Sequence, residues 1–234
     1  IKNNGTLWGW GTNGTILGLG NTNFINTPTQ IGIENDWSKI VAGYNHTYGI
    51  KNNGNIYCWG NNDFGQLGDG TLTSKSSPIL FSLSNNWKTI LTKSGTTFGI
   101  KKNGTLWAWG SNGGNFGNGS TSYNSAIPLQ IGTLNIWNSI HARGSTTFAK
   151  RHNGSLWVWG SNDSGAYGNG TSNSTITLIQ HNTPINFSKL FSGDYFSVAI
   201  DNNGKIWSWG SNFYGQLGTS NYTSSNIPLE ILCE

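Results

Sequence analysis

Apolar and polar residues alternate in short runs that recur about every 50 residues along the chain. In the second copy these runs are WSKIVAG (37–43), HTYGIK (46–51), NIYCWG (55–60) and SPILF (77–81). Alternation with a period of two is typical of strands with one buried face, and β-branched and aromatic residues fill the alternating positions. No segment keeps an apolar 3.6-residue period over three turns. The pattern therefore predicts four antiparallel strands per copy, named A to D, rather than helices.

Strand C is the most regular part of each copy, because it places two large aromatic residues around one small residue in a WxWG motif. Its five copies are predicted near residues 7–11, 56–60, 106–110, 156–160 and 206–210. Residues two apart on a strand share a face, so the two aromatic rings point to one side and the small residue to the other. Close packing is easiest when large side chains lie against small ones. We therefore expect the tryptophan face of one sheet to meet the small-residue face of the next.

An Asn-Gly pair precedes each strand C, as in NNG at 52–54. Asn-Gly between two alternating runs is a strong hairpin signal and predicts a type I′ turn between strands B and C.

A fixed period near 50 residues with four antiparallel strands predicts an all-β fold, namely a β-propeller built of four-stranded blades. The repeat runs from end to end without a linker, which predicts a single repeat array over residues 1–234. Strand C occurs five times and strand A four times, so about 4.5 to 5 blades are present. A blade without its A and B strands leaves apolar surface and strand edges open, which predicts self-association or completion by neighbouring sequence.

The composition is poor in charge, at 9% of residues against ~25% in typical globular proteins, but 13% of residues are aromatic. Regularly spaced aromatic residues argue for a packed fold rather than disorder. Of the two cysteines, Cys58 occupies the small position of strand C and is predicted to be a buried thiol, while Cys233 lies near the end of the sequence.

The residues that usually carry catalysis form no recognisable constellation. The four histidines fall at different repeat positions, no HExxH spacing occurs, and the nine acidic residues show no EF-hand spacing. The sequence therefore predicts a protein that is not an enzyme, with no metal site and no cofactor.

Binding is expected in the loops. In a propeller the A–B turns and the long C–D loops emerge on one face, and these segments carry aromatic residues that do not repeat between copies. They are Phe24, Tyr44, Tyr123, Tyr195, Phe213, Tyr214 and Tyr222. Tyrosine is enriched at protein interfaces, so this set predicts a partner-binding rim, with ordinary loop packing as the alternative. A carbohydrate-binding propeller is a second functional hypothesis, although a lectin would copy its pocket in every blade and these loops diverge.

The opposite face is predicted to be basic, because cationic residues flank the B–C hairpins. The candidates are Lys51, Lys101, Lys102, Lys150 and Arg151, in a chain of net charge +4. This face predicts weak binding to a polyanion, with the solubility of exposed hairpin ends as the alternative explanation.

Four strings occur in the order AGYNHT (42–47), GNIYCWG (54–60), FGQLGDG (64–70) and SP (77–78). Together they resemble the repeat of the regulator of chromosome condensation 1 family, and the resemblance covers the whole chain. It implies a β-propeller, seven-bladed in the best-known members, of which this chain would be a part. It also implies that the protein works by binding other proteins.

Activities within that family include nucleotide exchange on a small GTPase with chromatin binding, β-lactamase inhibition and ultraviolet sensing. The family's histidine after strand A is present as His46 but is replaced by Thr96, Thr146 and Phe196 in the other copies. Such drift favours a protein-interaction scaffold over an exchange factor or enzyme inhibitor. The Asn-, Gly- and Thr-rich style resembles bacterial extracellular members, which predicts a secreted or cell-surface protein, with the cytoplasm as the alternative.

Overall fold

The computed structural model describes residues 1–82 and 86–232, and it contains eighteen β-strands and no helix within those ranges. Cys233 therefore lies outside the described residues. No helix in these ranges has the length and apolar character that crossing a membrane would need. Residue contacts group the chain into two compact units. Unit 1 comprises residues 1–112 and 122–130, and unit 2 comprises residues 113–121 and 131–234.

Unit 1 contains one two-stranded and two four-stranded antiparallel sheets. Sheet 1 pairs β1 (Trp8–Gly11) with β2 (Ile25–Gln30). Sheet 2 has the order β3 (Trp37–Ala42), β4 (His46–Lys51), β5 (Ile56–Gly60) and β6 (Lys75–Ser82). Sheet 3 has the order β7 (Trp87–Lys93), β8 (Thr96–Lys101), β9 (Leu106–Ser111) and β10 (Asn124–Gln130).

Unit 2 contains two further four-stranded sheets with the same meander order. Sheet 4 consists of β11 (Trp137–Arg143), β12 (Thr146–Arg151), β13 (Leu156–Gly160) and β14 (Thr175–Gln180). Sheet 5 consists of β15 (Phe187–Ser192), β16 (Phe196–Asp201), β17 (Ile206–Gly210) and β18 (Ser225–Ile231). The all-β architecture of four-stranded units is confirmed, and sheet 1 consists of the two strands that correspond to C and D.

Neighbouring sheets within a unit pack large residues against small ones. Between sheets 2 and 3, Trp109 joins one buried cluster with the small residue Cys58 and with Tyr48. Between sheets 4 and 5, Trp209 packs in the same way with Val158. Burying an indole of this size is worth several kcal/mol, so these contacts hold adjacent sheets together. The predicted interdigitation is confirmed for the second tryptophan of the motif.

Each buried second tryptophan also donates its indole N–H to the preceding copy or its loop. Trp59 donates to the Ile16 carbonyl at 2.8 Å, and Trp209 donates to the Ala166 carbonyl at 2.8 Å. Trp109 donates to the hydroxyl of Tyr48 at 2.8 Å. These bonds satisfy a polar atom that burial would otherwise leave unpaired.

The two rings of the motif differ in burial, although the first rings Trp107 and Trp207 also pack against the clusters between neighbouring sheets. The first ring is only partly buried, as at Trp107 and Trp157. Trp10, the second tryptophan of the first copy, is 58% exposed. In the other copies a preceding sheet or its loop covers this ring, and β1 is the first strand among residues 1–82 and 86–232.

The predicted type I′ turns were also wrong. In the β4–β5 connection the Gly54 N–H donates to the Lys51 carbonyl at 2.9 Å, and Gly54 has a φ of 86°. Asn53 does not have a positive φ, whereas a type I′ turn needs positive φ at both central positions. The connection is a type I turn followed by a left-handed glycine. The Asn53 side chain favours this turn by accepting a bond from the Asn55 N–H at 2.9 Å.

Candidate functional site

A buried asparagine lies at the start of every long loop between the third and fourth strands of a copy. These residues are Asn13, Asn62, Asn112, Asn162 and Asn212. The Asn212 side-chain oxygen accepts from the Leu217 N–H at 2.9 Å, and its amide donates to the Asn221 carbonyl at 2.8 Å. One side chain thus closes a loop of a dozen residues and fixes the shape that the loop presents to solvent. Sequence analysis missed this residue, although it always stands three positions after the second tryptophan.

The aromatic residues predicted in unit 2 lie on adjoining segments of sheet 5. They are Tyr195, Phe213, Tyr214 and Tyr222, which we call the unit 2 aromatic group. The Ser211 N–H donates to the Tyr195 carbonyl at 2.8 Å, which joins the β15–β16 turn to the β17–β18 loop. A β-carbon built on Gly215 would lie 3.7 Å from the ring of Tyr222, so that ring approaches the Tyr214 segment. All four side chains are exposed, and Tyr214 is 90% exposed.

The predicted aromatic residues of unit 1 are exposed as well. Phe24 lies just before β2, and Tyr44 lies in the turn between β3 and β4. Tyr123 packs edge-on against Phe64 with ring centroids 5.6 Å apart. The role of all seven aromatic residues in partner binding stays a prediction.

The cationic residues at the ends of the second strands lie over aromatic rings. Lys101 lies 3.8 Å from the ring centroid of Trp107, and Arg151 lies 3.7 Å from that of Trp157. Lys51 lies 5.0 Å from the Tyr57 ring, is almost fully buried, and forms a salt bridge with Asp36 at 3.1 Å. Their charges therefore stabilise the partly buried first ring of each strand C through cation–π contacts.

Two members of the predicted basic face differ from that scheme. Lys102 is exposed to solvent. Lys150 directs its ammonium group inward and donates to the Phe187 carbonyl at 2.9 Å. In the fifth copy Asp201 takes the cationic position and accepts a bond from the Trp207 indole at 3.2 Å. The basic residues are thus mostly engaged by aromatic rings, backbone or an acid, and their binding to polyanions stays a prediction.

His46 is a fully buried structural residue. Its Nε2 lies 2.9 Å from the hydroxyl of Thr97, and that hydroxyl donates to the Gln66 carbonyl at 2.8 Å. The hydroxyl oxygen is therefore the acceptor, so Nε2 carries the proton. Burial lowers the pKa of His46 to about 4 because the charged ring would lose its hydration.

Cys58 is buried, as expected, and burial raises the pKa of its thiol. Such a thiol is a poor nucleophile at neutral pH. Within residues 1–82 and 86–232, no group of three or more His, Cys, Asp or Glu residues is arranged to hold a metal ion.

The sequence matches two family models that share the description "Regulator of chromosome condensation (RCC1) repeat". One matches residues 4–50, 53–99 and 203–232, and the other matches residues 37–66 and 187–216. Together they cover more than half of the chain. The matched segments include three of the five predicted strand C copies, near 7–11, 56–60 and 206–210, and the buried residues Asn13, Asn62 and Asn212.

Two curated relatives match over shorter stretches. The X-linked retinitis pigmentosa GTPase regulator homolog of Caenorhabditis elegans is 39% identical over 79 residues, 32% of this chain and 6% of the relative. The protein RCC2 homolog of Danio rerio is 40% identical over 76 residues, 31% of this chain and 15% of the relative. The aligned segments are thus a small part of either relative.

Solved structures match over nearly the whole chain. Human WBSCR16 superposes with a TM-score of 0.82 at 17% identity, covering 99% of this chain and 63% of that one. Yeast RCC1 (Prp20), in its structure with Kap60 bound, superposes with a TM-score of 0.83 at 21% identity. The match covers 98% of this chain and 57% of that one. At these identities the likeness establishes the fold, and the chain spans less than two thirds of either structure.

Proposed function

Because the chain belongs to the regulator of chromosome condensation (RCC1) repeat family, we propose that it is a non-enzymatic scaffold that presents exposed loop residues to a protein partner. The observation that carries the proposal is the unit 2 aromatic group, in which four exposed rings lie on adjoining segments of one sheet. Exposed aromatic residues that the fold does not need are the residue types that most often dominate protein interfaces.

The loop that carries Phe213, Tyr214 and Tyr222 is held in shape before any partner binds. From the start of the loop, Asn212 bonds to Leu217 and Asn221 further along it, and the Tyr214 N–H donates to the side-chain oxygen of Gln216 at 2.8 Å. A prearranged loop loses less conformational entropy on binding, so more of the contact energy contributes to affinity.

Protein partners are also known for structural neighbours of this chain. Kap60 binds yeast RCC1 (Prp20), and binding to Gsp1p and histones is described for Prp20p of Saccharomyces cerevisiae. These interactions support a protein as the class of partner here.

The test is affinity capture from lysate of the producing organism, with cross-linking and mass spectrometry. The bait would be the wild-type chain, the double variant Phe213→Ser/Tyr214→Ser, or the control Leu134→Ser. Leu134 is also exposed in unit 2 but lies between β10 and β11, away from the aromatic segments. We expect one protein to cross-link to wild type and control, and its affinity for the double variant to fall at least ~10-fold, as for loss of a hot spot.

Equal capture by all three baits would refute the aromatic group as the binding surface. Thermal melts should match for the three proteins, since exposed substitutions usually change stability by less than ~0.5 kcal/mol. Strong, selective hits on a glycan array that the double variant loses would instead favour carbohydrate binding.

A further inference from the structure

Three titratable residues of sheet 4 stand where other copies carry mostly apolar side chains. They are His141 on β11, Lys150 on β12 and His181 directly after β14. Position 181 is equivalent to 31, because the His181 N–H donates to the Leu156 carbonyl as the Ile31 N–H does to Leu7. The positions equivalent to His141 hold Val41, Leu91 and Phe191, and those equivalent to Lys150 hold Ile50, Ile100 and Ile200. The positions equivalent to His181 hold Ile31, Ile131 and Ile231, and the exception is Ser82 in sheet 2.

All three residues line one cavity inside unit 2, on the side of sheet 4 that meets sheet 5. Its volume is about 320 Å³, which is at the lower end of the range for small-molecule sites. The apolar part of its wall comes from Leu156, Ile185 and Leu190. None of the described residues that line it is acidic, while Lys150 and Lys189 both reach it. The cavity therefore has a cationic, donor-rich side and an apolar side.

His181 contributes a buried hydrogen-bond acceptor that no described residue satisfies. The residue is only 4% exposed, and its Nε2 lies 2.7 Å from the Tyr167 carbonyl oxygen. A carbonyl can only accept, so Nε2 carries the proton and Nδ1 is a bare acceptor. Nδ1 is buried, and no residue within 1–82 and 86–232 forms a hydrogen bond with it. Burying such an atom unpaired costs free energy that a ligand donor would recover.

Lys150 contributes a cation with unused donors. Its ammonium group has three N–H bonds, and one of them is directed to the Phe187 carbonyl at 2.9 Å. An ammonium group held near the apolar core is stabilised by an anionic partner. Burial and the neighbouring Lys150 charge lower the pKa of His141.

We propose that this cavity binds a small hydroxycarboxylate. The carboxylate accepts from Lys150, and a hydroxyl group of the ligand donates to Nδ1 of His181. The short carbon body lies against the apolar wall. None of the unit 2 aromatic residues lines the cavity, so the site is independent of the proposed protein-binding surface.

Isothermal titration calorimetry with racemic malate tests the proposal, with succinate as the matched ligand that lacks the hydroxyl group. We expect saturable malate binding with a dissociation constant of about 1 mM or tighter and at least ~10-fold weaker succinate binding. Absence of saturable malate binding at that strength would overturn the proposal. Equal affinity for malate and succinate would also overturn it, because the bare acceptor would then have no role.

Two variants restore the residue of the other copies and should therefore fold. Lys150→Ile should weaken malate binding at least ~10-fold, about 1.4 kcal/mol. His181→Ile should remove the preference for malate over succinate while leaving carboxylate binding in place. Thermal melts check folding of both variants, and the ring-nitrogen resonances of His181 in the wild type should shift on malate addition. Unchanged malate affinity in folded Lys150→Ile would contradict the site.

Discussion

The contact between a loop glycine and the tryptophan of the next sheet can be tested with a matched pair of substitutions. Gly168 has a φ of 74°, and a β-carbon there would lie 2.7 Å from Nε1 of Trp209. Gly218 holds the same position in the next copy with a φ of 68°, but its nearest neighbour would be a carbon of Ile231 at 3.9 Å. The two glycines therefore share a backbone conformation and differ in what covers them.

Replacing either glycine by alanine places a side chain in the left-handed region, which costs about 1–2 kcal/mol. Only Gly168→Ala also forces the Trp209 ring to move, at an overpacking cost of about 1–3 kcal/mol. That movement strains the bond from the Trp209 indole to the Ala166 carbonyl, worth about 0.5–1.5 kcal/mol. We expect Gly168→Ala to lower the free energy of unfolding by about 2–4 kcal/mol more than Gly218→Ala.

Urea unfolding followed by near-ultraviolet circular dichroism would measure both values, since that signal reports the packing of the aromatic rings. A difference within about 0.5 kcal/mol, the usual spread of neutral substitutions, would refute the reasoning. It would mean that the tryptophan does not press on the preceding loop as the structure shows.

Three other outcomes follow from buried polar groups and from the uncovered first sheet. Because the pKa of His46 falls from 6.5 to about 4 on folding, the unfolded state binds more protons between these values, and stability should fall as the pH drops from 6.5 to 4. The His46 contribution is about 3 kcal/mol, so urea unfolding at pH 7 and pH 4 should show a smaller pH dependence for His46→Gln than for wild type. Asn162→Ala should cost about 2–5 kcal/mol in the same assay, because it leaves the buried Tyr167 N–H and the Thr171 carbonyl unpaired, while the exposed control Asn202→Ala should be neutral. If exposed Trp10 drives self-association, Trp10→Ser should lower the sedimentation coefficient of this chain at micromolar concentration, and a wild type that already sediments as a monomer would contradict that prediction.

Local sequence was enough to place the strands and the repeating units. The runs at 37–43, 46–51, 55–60 and 77–81 became strands at Trp37–Ala42, His46–Lys51, Ile56–Gly60 and Lys75–Ser82. The alternation of apolar and polar residues and the turn residues are local signals that span a few positions. One copy is therefore enough to predict its strands, and the repetition of the copies makes the prediction clear. The seven aromatic candidates could be picked out for a related reason, since residues outside the repeat pattern are not needed to fill the core, but the structure was needed to show that they are exposed rather than packed in their loops.

Only the tertiary structure decided which atoms of each repeat meet their neighbours. Trp10 and Trp59 occupy the same motif position, yet the first is exposed and the second is buried, because burial depends on whether another sheet lies against that face. Lys101 resembles a free surface charge in the sequence, but the fold places it over an aromatic ring. The cavity around His181 likewise forms from residues of two sheets that pack together, and such packing is not encoded in the alternation of any one strand.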